Sequence, residues 1–334
     1  MIRYGQIGLN YGLKVHIPAF SSDERFKLVG VCSNSLTKAL NVKKDLDLEL
    51  ATDNAEDLFS KVDAISIAIP PKQQSIILPK AIKKGLHVFF EKPIGYLPKN
   101  NFEIKENQSL MPDLEFLEVD VWKELKKAIY SKEIGNLLHA EVVWNVETYA
   151  VSNKTDSWKT NRDLSGGVLN NFASHCFYYL EELMGEIKNL DVKAMSYSSN
   201  AEEVVYIYLK FLSGASASIS ISSNSYKGSG HFLEFTGDKG TARLKNSSNS
   251  ILSNFVLEIL TKSGKSSKKV SNIQLNNESD DRIPAVSSLV NKFGDWIEKK
   301  ELQKPDINSA VRVQKLLEFS KKSISKEQEI SIKN

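Results

Sequence analysis

Glu91-Lys92-Pro93 follows directly on the apolar run His87-Val88-Phe89-Phe90, so a lysine stands where a short strand ends. An ammonium there can exchange a proton with a substrate hydroxyl while a hydride moves to or from nicotinamide C4. Pro93 biases Lys92 toward extended backbone. Taken alone, the tripeptide reads equally as a charged strand end. A second group is Trp158 followed by Ser165-Gly166-Gly167 and the run through Asn171 to His175. The glycine pair precedes a helix in which Asn171 and His175 stand at i and i+4 and share a face. His175 can carry a proton near neutrality, whereas Asn171 binds a hydroxyl but takes up no proton. The plainer alternative for His175 is a satisfied core histidine.

Gly8-Leu9-Asn10-Tyr11-Gly12-Leu13 lies between a strand-like run and a helical one. A dinucleotide loop needs glycines for the tight turn, for backbone approach to the pyrophosphate and for helix packing. Only Gly8 falls in place; Asn10 and Leu13 occupy the other two positions, and Gly12 comes one residue early. Asn10 tolerates left-handed backbone and offers an amide to phosphate, and Gly12 keeps the loop open. An ordinary strand-to-helix turn is the competing reading. After the second strand no carboxylate appears; Ser33-Asn34-Ser35 and Lys38 offer hydroxyl, amide and ammonium groups. That set suits a 2′-phosphate and leans to NADP over NAD, although the same serines also suit a helix cap.

These groups need elements to hold them. Strand-like runs at 2–7, 26–32, 62–69 and 87–90, with a weaker one at 48–51, alternate with helical patterns. The helices are expected from 13 to a stop near Pro18, at 35–44 and at 75–85. Such alternation predicts a doubly wound parallel sheet. Residues 94–115, rich in Asn, Lys and Pro, read as a connector. A helix at 122–130 follows, then closely spaced strands at 137–148, 189–197, 204–212, 215–223, 231–236 and 241–245. These predict a mostly antiparallel sheet, with a helix at 168–184, an exposed hairpin at 261–271 and closing helices at 285–299 and 307–322. The fold class is therefore α/β, with two domains at 1–116 and 117–334.

Composition narrows the partners. At 334 residues the chain is long enough for two cores, and 44 Lys and Arg balance 41 Asp and Glu along its length, so no basic face for nucleic acid is expected. Two cysteines are too few for a disulfide framework or a four-cysteine zinc site, so a reducing, cytoplasmic setting and no metal are expected. No run is apolar enough to span a membrane.

Taken in order, the glycine loop, Ile69-Pro70-Pro71, Glu91-Lys92-Pro93, Trp158, Gly166-Gly167 and His175 resemble the Gfo/Idh/MocA oxidoreductase family. The resemblance also takes in Gly214, Gly237, Gly240 and Asp281-Arg282-Ile283, and so covers nearly the whole chain. It implies an N-terminal Rossmann domain and a C-terminal α/β domain whose large sheet holds the substrate and a homo-oligomer interface. It further implies oxidation or reduction of sugars, sugar nucleotides or polyols with NAD or NADP. Lys92 becomes the catalytic lysine and His175 the catalytic or substrate-orienting histidine. Ile69, Pro70, Pro71, Gln74 and Glu91 fall at the cofactor, and Trp158 and Asn171 at the substrate. Three features depart from the family: the altered glycine loop, Asn171 where Asp is usual, and a connector after Pro93 about a dozen residues short. They motivate a second reading, a protein that binds dinucleotide or sugar without turnover.

Overall fold

The computed structural model describes residues 1–95, 104–155, 157–248, 250–271 and 280–332. Two units form, one from Met1–Glu115 with the described part of Leu275–Arg312, the other from Phe116–Gln274 and Val313–Asn334. The first is therefore discontinuous in sequence, which the expected spans 1–116 and 117–334 do not express.

In the first unit, β1 (Ile2–Ile7), β2 (Phe26–Cys32), β3 (Leu50–Thr52), β4 (Ala64–Ile67), β5 (His87–Phe90) and β6 (Leu110–Pro112) form one sheet. Its order is β3-β2-β1-β4-β5-β6, and every pair is parallel. The order reverses between β1 and β4, which opens a crevice at the strands' carboxyl ends. Both faces are covered, so β4 is buried at all four positions. Leu58, Ile65, Leu78, Ile82 and Phe90 pack in one layer, and Phe20, Phe26, Phe89, Val290 and Phe293 in another.

Helix Ile283–Lys299 lays Leu289, Val290 and Phe293 into that second layer, and the Phe293 ring stacks on Phe26 at 5.9 Å and 2°. The helix after β1 passes Pro18 and runs on to Ser21. The helix opens with a wide π-type turn, Gly12–His16, and Pro18 is the second residue of the regular segment Ile17–Ser21 that continues it. Within the expected connector, residues 96–103 lie outside the described residues, but Leu110–Pro112 forms β6, paired to β5 through Val88↔Leu110.

Among the described residues the second unit carries nine strands: β7 (Leu137–Asn145), β8 (Ile187–Met195), β9 (Val204–Phe211), β10 (Ser216–Ser222), β11 (Gly230–Gly237), β12 (Gly240–Asn246), β13 (Val256–Thr261), β14 (Ser266–Val270) and β15 (Ile330–Ser331). Their order is β14-β13-β12-β11-β7-β10-β9-β8-β15. Only β7 and β10 pair in parallel; the other pairs are antiparallel. Alternation makes the sheet two-sided: in β9 the side chains of Val205, Ile207, Leu209 and Phe211 are buried, while Tyr206 and Tyr208 are exposed. Sequence reading misses β13, which pairs with the exposed β14 to make the expected hairpin. The α/β expectation is met, with a parallel sheet in the first unit and a mostly antiparallel one in the second.

Because Phe293 belongs to the first unit's core, Phe293→Ala is expected to cost roughly 3–5 kcal/mol. Denaturant unfolding of the variant measures that loss; a cost under about 1 kcal/mol would contradict the packing.

Candidate active site

The expected cofactor residues gather at one edge of the six-stranded sheet. Gly8 leaves β1 with φ +89, and a side chain there would strike the Ala68 carbonyl. Only glycine suits that combination. Gly12 is fixed for a different reason: the fully buried Gln6 fills the space a Cβ would take. The Gln6 amide donates to the carbonyls of Ile7 at 3.0 Å and Gly8 at 3.1 Å. Gly12, one residue early for the third glycine position, therefore serves packing against Gln6.

Asn10 is exposed, and Lys38 Nζ donates to its Oδ1 at 2.7 Å, joining the β1 loop to the β2 exit. At that exit Ser33 Oγ accepts from Ser35 N at 3.3 Å, and Ser35 caps helix Leu36–Asp45 by accepting from Lys38 N. The serines thus fill the cap role and stand beside Lys38. Pro70 and Pro71 start helix Pro71–Lys84 at the β4 exit. Gln74, from that helix, is fully buried and donates to the carbonyls of Glu91 and Pro93. It thereby holds the backbone on both sides of Lys92. The Lys92-Pro93 peptide is cis, where sequence reading anticipated only extended geometry.

Behind this edge lies a charged cluster that the sequence does not announce. His16 is fully buried, with Nδ1 2.8 Å from Ser66 Oγ and Nε2 3.2 Å from Asp113 Oδ2 and 3.5 Å from Glu91 Oε1. Burial alone would pull the imidazole down, but the hydrogen bonds to Asp113 and Glu91 outweigh it and raise it to about 9. His16 is therefore an imidazolium at neutral pH.

Burial pushes Asp113 up, the imidazolium opposes that and the Glu91 charge adds to it, leaving the carboxyl at about 6. Burial also acts on Glu91, yet the His16 hydrogen bond and the Lys92 charge hold it below its ordinary range. Glu115 is raised well above the carboxylate range by burial and by Asp113, with Lys92 opposing. Tyr11 Oη donates to Asp113 Oδ2 at 3.4 Å, and the Arg282 guanidinium, held by Asp280 at 2.7 and 2.6 Å, lies 4.7 Å from the Tyr11 ring centre. One ring nitrogen of His16 and one oxygen each of Glu91 and Asp113 lie within 4.8 Å of one another, and the imidazolium supplies the positive charge between the two carboxylates.

The remaining expected residues belong to the second unit. Gly166 packs against the Trp158 carbonyl, and Gly167 N donates to Lys159 O at 2.8 Å, so the Trp158 turn and the glycine pair do meet. The following helix begins with a wide π-type turn over Leu169–Ala173 before the regular Ser174–Met184. Asn171 lies in that turn, and its amide donates back to Gly167 O at 2.9 Å. His175 is buried, with its ring 4.8 Å from Phe116 and 6.1 Å from Trp144. Trp144 stacks at 4.1 Å on His231, which burial holds neutral by pushing it down to about 3. Tyr149 is exposed.

A parallel sheet with a βα glycine turn at its switch point, joined in one chain to a mostly antiparallel sheet, is an architecture suited to a dinucleotide-binding enzyme. Residues 2–109 match "Oxidoreductase family, NAD-binding Rossmann fold" and residues 126–332 match "Oxidoreductase family, C-terminal alpha/beta domain" of the Gfo/Idh/MocA group. The chain belongs to that family. A relative from Synechocystis sp., an uncharacterised oxidoreductase, is 30% identical over 256 residues, 70% of this chain and 69% of the relative. Among solved structures, levoglucosan dehydrogenase in complex with NADH shares the fold at TM-score 0.87 and 16% identity, over 100% of this chain and 99% of that one. An Agrobacterium radiobacter oxidoreductase in complex with NAD+, L-tartaric acid and magnesium does so at TM-score 0.85 and 14% identity, over 99% and 98%. No helix among the described residues is long and apolar enough to cross a membrane.

The raised His16 has a signed consequence. Its contribution to stability is fully present below pH 6.5 and is lost as pH rises through about 9. Thermal melts of the wild type and His16→Asn should therefore differ most at the acidic end of that window and converge above it. A gap that widens with rising pH would contradict the assignment.

Proposed function

We propose that this protein transfers a hydride between a bound nicotinamide and a hydroxyl or ketone carbon of a sugar, sugar nucleotide or polyol. The single observation that carries the reading is the placement of Lys92. It leaves β5 at the carboxyl edge of the sheet, its flanking carbonyls are held by Gln74, and its charge acts on Glu91 and Glu115.

The residues at that edge fit a dinucleotide. Gly8 leaves the β1 exit without a side chain, Asn10 is exposed beside it, and the Ser33 and Ser35 hydroxyls and Lys38 stand at the β2 exit. When bound, the nicotinamide supplies the hydride acceptor or donor. In this reading Lys92 exchanges the substrate's hydroxyl proton, and His175 orients the substrate and assists. Asn171 and Trp158 line the substrate side without titrating. The sugar-like substrate class is supported by levoglucosan dehydrogenase among the structural neighbours. NADP is favoured over NAD by Lys38 and by hydroxyls where a carboxylate would otherwise take the ribose. A homo-oligomer through the nine-stranded sheet is part of the same proposal, supported by the exposed Tyr206 and Tyr208 on its outer face.

A panel of sugars and polyols, followed by the near-ultraviolet absorbance of reduced nicotinamide, tests the activity. Turnover is expected, with Lys92→Ala losing on the order of 10²–10⁴-fold in kcat while cofactor affinity is kept. Tight cofactor binding with no turnover on any substrate would instead select a binding protein. Lys38→Ala is expected to weaken NADP(H) by about tenfold and leave NAD(H) affinity unchanged, as titrations of cofactor fluorescence would show. An equal loss for both cofactors would remove the NADP preference.

A further inference from the structure

We propose that Arg282 is a phosphate ligand of the cofactor, a guanidinium set over the β1 loop to take the pyrophosphate of a dinucleotide. This role rests on the dinucleotide reading of the β1 exit.

Arg282 stands just before helix Ile283–Lys299, far along the chain from β1 but in the same unit. Its guanidinium carbon lies 4.7 Å from the centre of the Tyr11 ring, so the planar group covers the loop that leaves β1. Asp280 fixes its orientation. That carboxylate accepts from Arg282 Nε at 2.7 Å, from Nη2 at 2.6 Å and from the backbone N–H at 3.2 Å. These bonds use one edge of the fork. On the other edge, Nη1 has no hydrogen-bond partner among the described residues, and the side chain keeps 23% of its surface exposed. A guanidinium held in this way presents N–H groups of fixed direction on its remaining edge, an arrangement that matches two oxygens of a phosphate. Lysine, a point charge on a flexible stem, could be neither stacked nor forked like this.

The surroundings of Tyr11 select which phosphate. One residue earlier, Asn10 accepts from Lys38 at the β2 exit, the side read as holding the adenosine ribose. In the other direction the Tyr11 hydroxyl reaches Asp113 Oδ2 at 3.4 Å, beside His16 and Glu91, on the side where Lys92 is read to act. Tyr11 therefore stands between the two ends of a bound dinucleotide, where the pyrophosphate joins them. The loop has Asn10 where a second glycine would let the backbone approach that group. A side-chain donor from a distant segment makes up the contact. The exposed Lys14, on the next turn, also acts on Asp280, so this carboxylate faces two cations and leaves a positive balance for an anion.

Titrations of cofactor fluorescence with the whole chain test the contact. Arg282→Gln should weaken NADH and NADPH equally, by on the order of 10–100-fold, and flatten the salt dependence of both affinities. ADP-ribose, which keeps the pyrophosphate and lacks the nicotinamide, should lose the same factor as a competitor of NADH. A loss confined to NADPH would move Arg282 to the 2′-phosphate and overturn the proposal. Cofactor affinities equal to those of the wild type overturn it as well, whether or not the KM for a substrate rises. Should Arg282→Gln fail to fold, the wild type still decides. Its Arg282 guanidinium nitrogen signals, identified by their loss in Arg282→Lys, should shift on adding ADP-ribose and stay in place with adenosine. No shift with ADP-ribose, or an equal shift with adenosine, overturns the assignment. A wild type that binds no dinucleotide overturns the cofactor reading of this edge and this role with it, whereas binding that Arg282→Gln leaves intact overturns this role alone.

Discussion

A buried imidazolium between two carboxylates is the constraint on which the first unit's working edge depends. His16 stands on the helix after β1, Glu91 ends β5 and Asp113 ends β6, and each of these charges would be costly to bury alone. Together they lock three elements at the crevice and fix the residue before Lys92. Removing one partner would leave the others uncompensated, so the cluster ties the position of the lysine to the integrity of the parallel sheet.

The glycine loop illustrates how one fold can meet the same need with different residues. Gly8 keeps the left-handed turn that the β1 exit requires. Gln6, whose amide satisfies two carbonyls of the turn, takes the space beside Gly12. The departure from the usual spacing is therefore coupled to a buried glutamine on the strand, and the loop is a rebuilt turn with its backbone groups satisfied.

Much of the fold was legible because strand and helix periods alternate cleanly and end on strong punctuation. The run 62–69 stopping at Pro70-Pro71, and the helix ending at Gly85, are the clearest cases. β6 was not legible: three residues in a stretch rich in Asn, Lys and Pro become a strand only by pairing with β5. Lys92 announced itself by its place after an apolar strand. His16 did not, since a lone histidine on an apolar helix face looks like core, and its partner Asp113 lies 97 residues further along the chain. The π-type turn that carries Asn171 was equally hidden, because the residues 169–173 fit an ordinary helix. What the sequence concealed is in each case a contact between distant segments or a local change of helical period.

The most direct measurement is the protonation state of His16 itself, read from the side-chain nitrogen shifts of the labelled protein above pH 7. With the imidazole raised to about 9, both ring nitrogens should remain protonated at pH 8. A neutral tautomer at that pH would mean that the imidazole is not the counter-charge of Glu91 and Asp113, and the account of the site built on it would fail.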